Sequence, residues 1–447
     1  MKAPPRENPS VFKQGGNVTT AQFYEDLLSA VSIPRFVKVH QRMEDTHVEN
    51  PYTATVEAIH KCENFPKIKQ GDSVCIACGS REIAHLKEIV RAAVDTVKAM
   101  GGNPFLIPAM GSHGGATAEG QKEILLTYKL TEHEVGAPIR SSMETVEIGK
   151  TAEGLAVRID KYAAAADLII LAARIKPHTD FRGPVESGIM KMISIGMGKQ
   201  YGASICHSLG FPRMSQNVTD IANVVIAAFP KITGIGIIEN AYHHTHSITV
   251  LSGSRISEKE PHLLEKAKSL MPKIPFEKCD ALFVNEIGKN ISGPGMDPNI
   301  TGRSAFMGRS APDFDGIAVF NLTEESHHNA NGIGNADVTT ERVYRNFDMR
   351  STYANSITCM DPFSVKIPVV MPNDKLAMKY ALGIAYKADP IHGQKVVWIR
   401  NTLSMDSYMI SEGLLDSAQK IKNLKIMSEP QEVPFDSNGN IIQPDWT

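Results

Sequence analysis

The chain has 447 residues, 42% hydrophobic and 21% charged, with 47 Lys plus Arg against 49 Asp plus Glu for a formal net charge of −2. That is several times the roughly 100–150 residues of one domain and has ordinary globular usage, which excludes a mainly disordered, collagenous or coiled-coil chain. The balanced charge offers no basic field for nucleic acid or anionic lipid, so neither nucleic acid nor membrane is an expected partner.

Residues 1–35 are polar and proline-bearing apart from an amphipathic patch at 23–33, and read as an N-terminal extension without an apolar leader. From Gly71 the pattern alternates. The run 73–78 is strand-like, 83–100 has helical spacing through Ile89, Val90, Ala93, Val94 and Val97, and 104–108 is a second strand. Further strands are expected at 167–172, 233–239 and 248–251, with helices near 117–128 and 214–229. After Pro272-Lys273-Ile274-Pro275 the pattern restarts, with strands at 280–285, 316–322, 365–370 and 395–399 and a helix at 374–385. Strand–helix–strand alternation predicts an α/β fold of two α/β domains with mainly parallel sheets, 36–275 and 276–447, and the active site in the cleft between them. No window approaches the roughly 20 apolar residues of a membrane span, and six dispersed cysteines are expected to be reduced, so the expected compartment is the cytoplasm.

Ligands of open α/β sheets collect beyond the C-terminal ends of strands. Two loops there are unusual. In Ala109-Met110-Gly111-Ser112-His113-Gly114-Gly115-Ala116-Thr117, glycines leave an imidazole unshielded, although a plain glycine turn with an exposed histidine accounts for the same residues. The second loop runs from Arg174 to Lys191 and packs Lys176, His178, Asp180, Arg182 and Glu186 behind an apolar strand. Ser187 or Gly188 could cap a helix with Lys191 in its first turn, where the dipole disfavours an ammonium; a surface lysine on an amphipathic helix is the alternative. His207 follows, either as a metal-binding imidazole or as a packed side chain. His243, His244 and His246 match metal spacing only loosely, and a metal-dependent lyase or hydrolase using them is a rival reading. Cys75 and Cys78, three apart in a strand, point to opposite faces, which argues against zinc or redox use.

The order of a Gly-x-His loop, a Pro-His loop, Ser-Gly-x-x-Lys and a later histidine resembles the nickel-pincer lactate racemase family over about residues 70–400. The resemblance implies a nickel ion held by a nicotinic-acid-derived mononucleotide with two sulfur-containing arms, one joined to a lysine as a thioamide. Ser187-Gly188-Ile189-Met190-Lys191 matches the family's Ser-Gly-Gly-Arg-Lys, which gives Lys191 the covalent role and places Ser187 and Gly188 at the cofactor. The family's nickel histidine follows that lysine by 16 positions, and 191 plus 16 is His207. His113 and His178 match the acid/base histidines. Arg81 is an approximate equivalent of the arginine after the first strand, with cofactor- and substrate-binding roles, and Lys289 matches a substrate lysine of the second domain. Arg182 and Glu186 lie in a longer loop than that of the lactate enzymes, where the substrate would be held.

The implied reaction is racemisation or epimerisation of a 2-hydroxy acid: hydride leaves C2 for the cofactor while one histidine takes the hydroxyl proton, and hydride returns to the other face. Imidazoles with ordinary pKa near 6.5 suit that exchange, each step worth roughly 10²–10⁴-fold. Arg81, Arg182 and Lys289 would meet the substrate. The implied partners are a small 2-hydroxy acid, the cofactor-synthesis proteins transiently, and a second copy in a homo-oligomer. A non-catalytic cofactor-binding protein is the third reading. Polar groups in the added loop predict a substrate more polar than lactate.

Overall fold

The computed structural model describes residues 19–79, 83–208, 210–385, 394–442 and 444–446. Its strands are, in chain order, β1 (Phe36–Gln41), β2 (Ser73–Cys78), β3 (Asn103–Pro108), β4 (Thr145–Lys150), β5 (Ala156–Asp160), β6 (Leu168–Arg174), β7 (Ile232–Glu239), β8 (Thr245–Ser252), β9 (Lys278–Val284), β10 (Arg303–Ser304), β11 (Gly308–Arg309), β12 (Asp313–Val319), β13 (Val338–Thr340), β14 (Val369–Met371), β15 (Val396–Ile399), β16 (Ser407–Ser411) and β17 (Leu424–Ile426). One sheet has the order β3-β2-β6-β7-β8, parallel except for β8 at its edge. The other runs β14-β13-β12-β9-β15-β16-β1-β17; its first five strands are parallel and its last three antiparallel to their neighbours. Two mainly parallel sheets covered by helices make this an α/β protein.

The inner strands of the first sheet, β2, β6 and β7, are mostly apolar and buried because both their faces are covered, while the edge strand β8 is mixed and half-buried. Val74, Ile76 and Cys78 pack with Ile89, Val90, Ala93 and Val97 of the helix Leu86–Ala99. Cys75 and Ala77 face the other layer with Ile189, Ile193, Val218, Ile221 and Ile256. Cys75 and Cys78 therefore lie on opposite faces of β2.

The chain passes from the first sheet to the second between β8 and β9. Phe36–Gln41, which the sequence pattern groups with the residues that follow it, hydrogen-bonds between β16 and β17 and so belongs to the second sheet. Val37 and Val39 bury there with Leu282 and Val397. The helix Thr20–Leu27 of the extension lies on the same half, where Glu25 meets Lys379 at 2.7 Å and Lys375 at 3.3 Å. The 365–370 segment is a strand only at its end, Val369–Met371. Among the described residues no helix is long and apolar enough to cross a membrane.

Candidate active site

Four parallel strands deliver their loops to one edge of the first sheet. The loops after β3 and β6 straddle the loop after β2, since both strands pair with it, and two interstrand spacings separate them by about 10 Å. That leaves room for a small molecule. Arg81 lies outside the described residues.

His113 is exposed on extended backbone ahead of the short turn Gly114–Ala116. Gly114 has φ +64° and abuts the backbone of Gly120, so a side chain there would be both strained and obstructed. The loop is held from beneath. Gln121, fully buried, donates from Nε2 to the carbonyls of Gly111 at 2.9 Å and His113 at 3.3 Å. Its own Oε1 accepts from Lys199 Nζ at 3.2 Å. Lys199 also donates to the Pro108 carbonyl and lies 3.1 Å from the Asp160 carboxylate, both side chains being fully buried. Burial pulls the Lys199 ammonium down, while Asp160 supports it.

The second loop is a hairpin closed by reciprocal backbone bonds between Lys176 and Ser187 at 3.0 and 3.2 Å. Glu186 organises it from inside. Its buried carboxylate accepts the His178 N–H at 2.8 Å and faces Lys268 at 3.1 Å and Arg182 at 3.5 Å. The His178 ring stacks on the buried Phe181 with centroids 4.2 Å apart. Its Nδ1 accepts the Asp180 N–H at 3.0 Å, and the Asp180 carboxylate is 3.7 Å from the same atom. A backbone amide can only donate, so the neutral ring carries its proton on Nε2. Burial pushes the Asp180 carboxyl up against the opposing pull of Lys191. Arg182 donates to the His178 carbonyl and to Asn299 Oδ1 of the second half, and Asn299 Nδ2 donates to that carbonyl at 3.3 Å. The histidine loop is therefore bound to both halves of the chain.

Lys191 ends a single helical turn, Ile189–Lys191, that continues as a π-helical segment, Met192–Gly196, with Met197 N–H bonding to the Met192 carbonyl at 2.9 Å. Such widened turns are frequent at functional sites. The segment crosses the ends of β2 and β3: Gly79 abuts Met192, Gly196 abuts the Ala109 carbonyl, and the Gly111 N–H reaches the Gly196 carbonyl at 3.4 Å. Gly188 precedes the turn and contributes no capping side chain. Glu260 supplies it instead, its carboxylate accepting from Met190 N–H at 2.9 Å and lying where any Cβ on Gly188 would fall. Burial raises the Glu260 carboxyl to about 7.

His207 sits in the last turn of the helix Lys199–Ser208. Its Nδ1 is buried with no hydrogen-bond partner among the described residues. Burial lowers the imidazole to about 4, with the Lys191 ammonium pushing the same way, so the ring is neutral at pH 7. Phe211 and the imidazole meet edge to face with centroids 5.4 Å apart, and Phe211 lies against Phe306 of the second half with centroids 3.8 Å apart and the rings tilted by 34°. Lys191 thus acts electrostatically on both His207 and Asp180, beside the His178 loop. Lys289 lies in the loop after β9, donating to the Gly293 carbonyl at 2.8 Å.

The three histidines near 245 do not converge on one another. His243 meets the Leu403 carbonyl at 3.3 Å, His244 meets Asp45 at 2.8 Å, and His246 faces Glu44 at 3.9 Å. Sequence reasoning missed Glu260, Gln121, Lys199 and Asp160. Only the Gly196-Met197-Gly198-Lys199 string hinted at one of them, a lysine pressed into a tight backbone.

Residues 27–216 match the family model described as the lactate racemase N-terminal domain, a stretch that carries His113, His178, Lys191 and His207. The structure of the lactate racemase apoprotein from Thermoanaerobacterium thermosaccharolyticum is similar at 12% identity and a TM-score of 0.44, over 82% of this chain and 88% of that one. No curated protein matches.

Proposed function

We propose that this chain, which belongs to the lactate racemase-like family, is an isomerase that racemises or epimerises a small 2-hydroxy acid at the edge of its first sheet. The observation that carries the reading is Lys191, at the head of the π-helical segment, acting on the buried, neutral His207, whose Nδ1 has no partner among the described residues. An orphaned buried nitrogen costs roughly 1–3 kcal/mol unless a ligand satisfies it. A neutral imidazole is a good donor to nickel.

These residues fit a nickel-pincer nucleotide, with Lys191 as tether and His207 as metal ligand. Such a group, when bound, supplies a reversible hydride acceptor for the hydrogen on C2. The chain's own side chains do the rest. His178, stacked on Phe181, would take the hydroxyl proton at Nε2 from its other tautomer, in which Nδ1 gives up the Asp180 N–H and carries the ring proton towards the Asp180 carboxylate, and that carboxylate stabilises the ring when both nitrogens are protonated. His113 serves the opposite direction from the neighbouring loop. Arg81 and Lys289 balance the substrate carboxylate, and the Phe211–Phe306 pair sets apolar surface next to His207.

The test is inversion of enantiopure 2-hydroxy acids, followed by chirality and deuterium loss at C2, by protein co-expressed with cofactor-synthesis enzymes. Inversion is expected, with His113→Ala and His178→Ala each slower by roughly 10²–10⁴-fold. Absence of inversion across lactate, malate and sugar acids by cofactor-loaded protein would overturn the reading.

A further inference from the structure

The segment 42–50 carries the chain out of β1, in the second sheet, to the helix Pro51–Lys61 packed on the first. Against it lies the turn between β7 and β8. The two are sewn together: Asn240, buried, accepts the N–H groups of Tyr242 and His244 on Oδ1 at 3.0 Å each and donates from Nδ2 to Asp45 Oδ1 at 3.2 Å. Val48 N–H bonds to the Thr245 carbonyl at 2.9 Å, and Met43 N–H reaches the Tyr242 hydroxyl at 3.1 Å.

On this seam Asp45, His47 and His244 come together, with one donor atom of each within 4.8 Å of the other two. The rings of His47 and His244 stand edge to face at 4.9 Å. Asp45 Oδ1 lies 2.8 Å from His244 Nδ1 and 3.5 Å from His47 Nδ1, and His47 Nδ1 also meets the Asp45 carbonyl at 2.6 Å. These oxygens only accept, so without a cation each neutral ring holds its proton on Nδ1. A cation among the same three atoms takes the place of those protons, and each ring then carries its proton on Nε2 and coordinates through Nδ1. All three side chains are about half exposed, so their ends can close on an ion without disturbing the core.

We propose that Asp45, His47 and His244 form a metal site that takes a borderline divalent cation such as Zn²⁺ or Co²⁺, separate from His207. Two imidazoles select such an ion over Mg²⁺ or Ca²⁺, which prefer all-oxygen shells. The bound ion cross-links 42–50 to the β7–β8 turn. It thereby stiffens the passage between the two sheets.

Equilibrium dialysis of the full chain against Zn²⁺, with metal counted by mass spectrometry, tests this. One equivalent is expected that His207→Ala retains and that His47→Ala and His244→Ala each lose; these exposed substitutions leave the fold intact, which circular dichroism checks. Co²⁺ should give visible d–d absorption in wild type that His244→Ala abolishes and the neighbouring His246→Ala keeps. Zinc stoichiometry unchanged in His47→Ala and His244→Ala, or lost only in His207→Ala, would overturn the site, as would absence of bound Zn²⁺ and Co²⁺ in wild type.

Discussion

The Glu260 carboxylate accepts the backbone N–H of Met190 at 2.9 Å, one residue before Lys191. A helix N-terminus needs an acceptor, and Gly188, where a side-chain cap would stand, leaves the space that Glu260 fills. A residue 70 positions away thus sets the start of the lysine turn.

Glu260 titrates near 7, above its ordinary 4.5, because it is buried. The folded state then holds more protons than the unfolded one between those values. Stability should fall as pH rises from about 4.5 to 7, with the full cost present above 7. Glu260→Gln should remove that slope and gain about 1–3 kcal/mol at pH 8. Urea unfolding of both proteins at pH 5 and pH 8 checks it; equal slopes would refute the buried, raised carboxyl.

His207 has the opposite sign. Its imidazole is lowered from 6.5 to about 4, so its contribution is fully present above 6.5 and lost as pH falls toward 4. NMR titration of metal-free protein should give a midpoint near 4. In Lys191→Ala the midpoint should rise yet stay below 6.5, because burial is the larger cause. A wild-type midpoint at 6.5 would show the ring to be solvated.

The buried Lys199–Asp160 pair supports the His113 loop through Gln121. Lys199→Met should destabilise by about 3–5 kcal/mol by leaving Asp160 uncompensated. Adding Asp160→Leu should recover much of the loss in denaturant titration. Gln121→Ala should lower kcat more than it raises KM if the loop positions a catalytic imidazole; an unchanged kcat would assign the network to stability alone.

Asp180, Arg182, Asp297 and Asn299 bring polar groups to the His178 loop, although Arg182 and Asn299 already bond to one another. A lactate methyl needs an apolar wall instead. We expect malate or a sugar acid to exceed lactate in kcat/KM. A ranking with lactate first would contradict the pocket argument and leave the isomerase reading standing.

Much of the first half was legible in sequence because helix and strand periods are local. The helix expected at 83–100 forms at Leu86–Ala99, and the strand at 73–78 forms as expected. The spacing of Lys191 and His207 could be noticed because it copies the one that the family resemblance implies; the chain between them is not one helix but breaks at Met197–Gly198, ahead of Lys199 at φ +55°. What escaped depends on distant partners. β1 pairs with strands some 370–390 residues later, Glu260 caps a turn from another helix, and Asp45 meets His244 across 199 positions. No local pattern records such contacts. Buried Lys199 resembles any surface lysine until Asp160 is placed beside it.

The most direct test of the central claim is intact-mass and nickel analysis of wild type, Lys191→Ala and His207→Ala, each co-expressed with cofactor-synthesis enzymes. The account predicts a covalent adduct with nickel in wild type, neither in Lys191→Ala, and the adduct with depleted nickel in His207→Ala. An unmodified wild type under those conditions, or equal adduct and nickel in all three proteins, would contradict it.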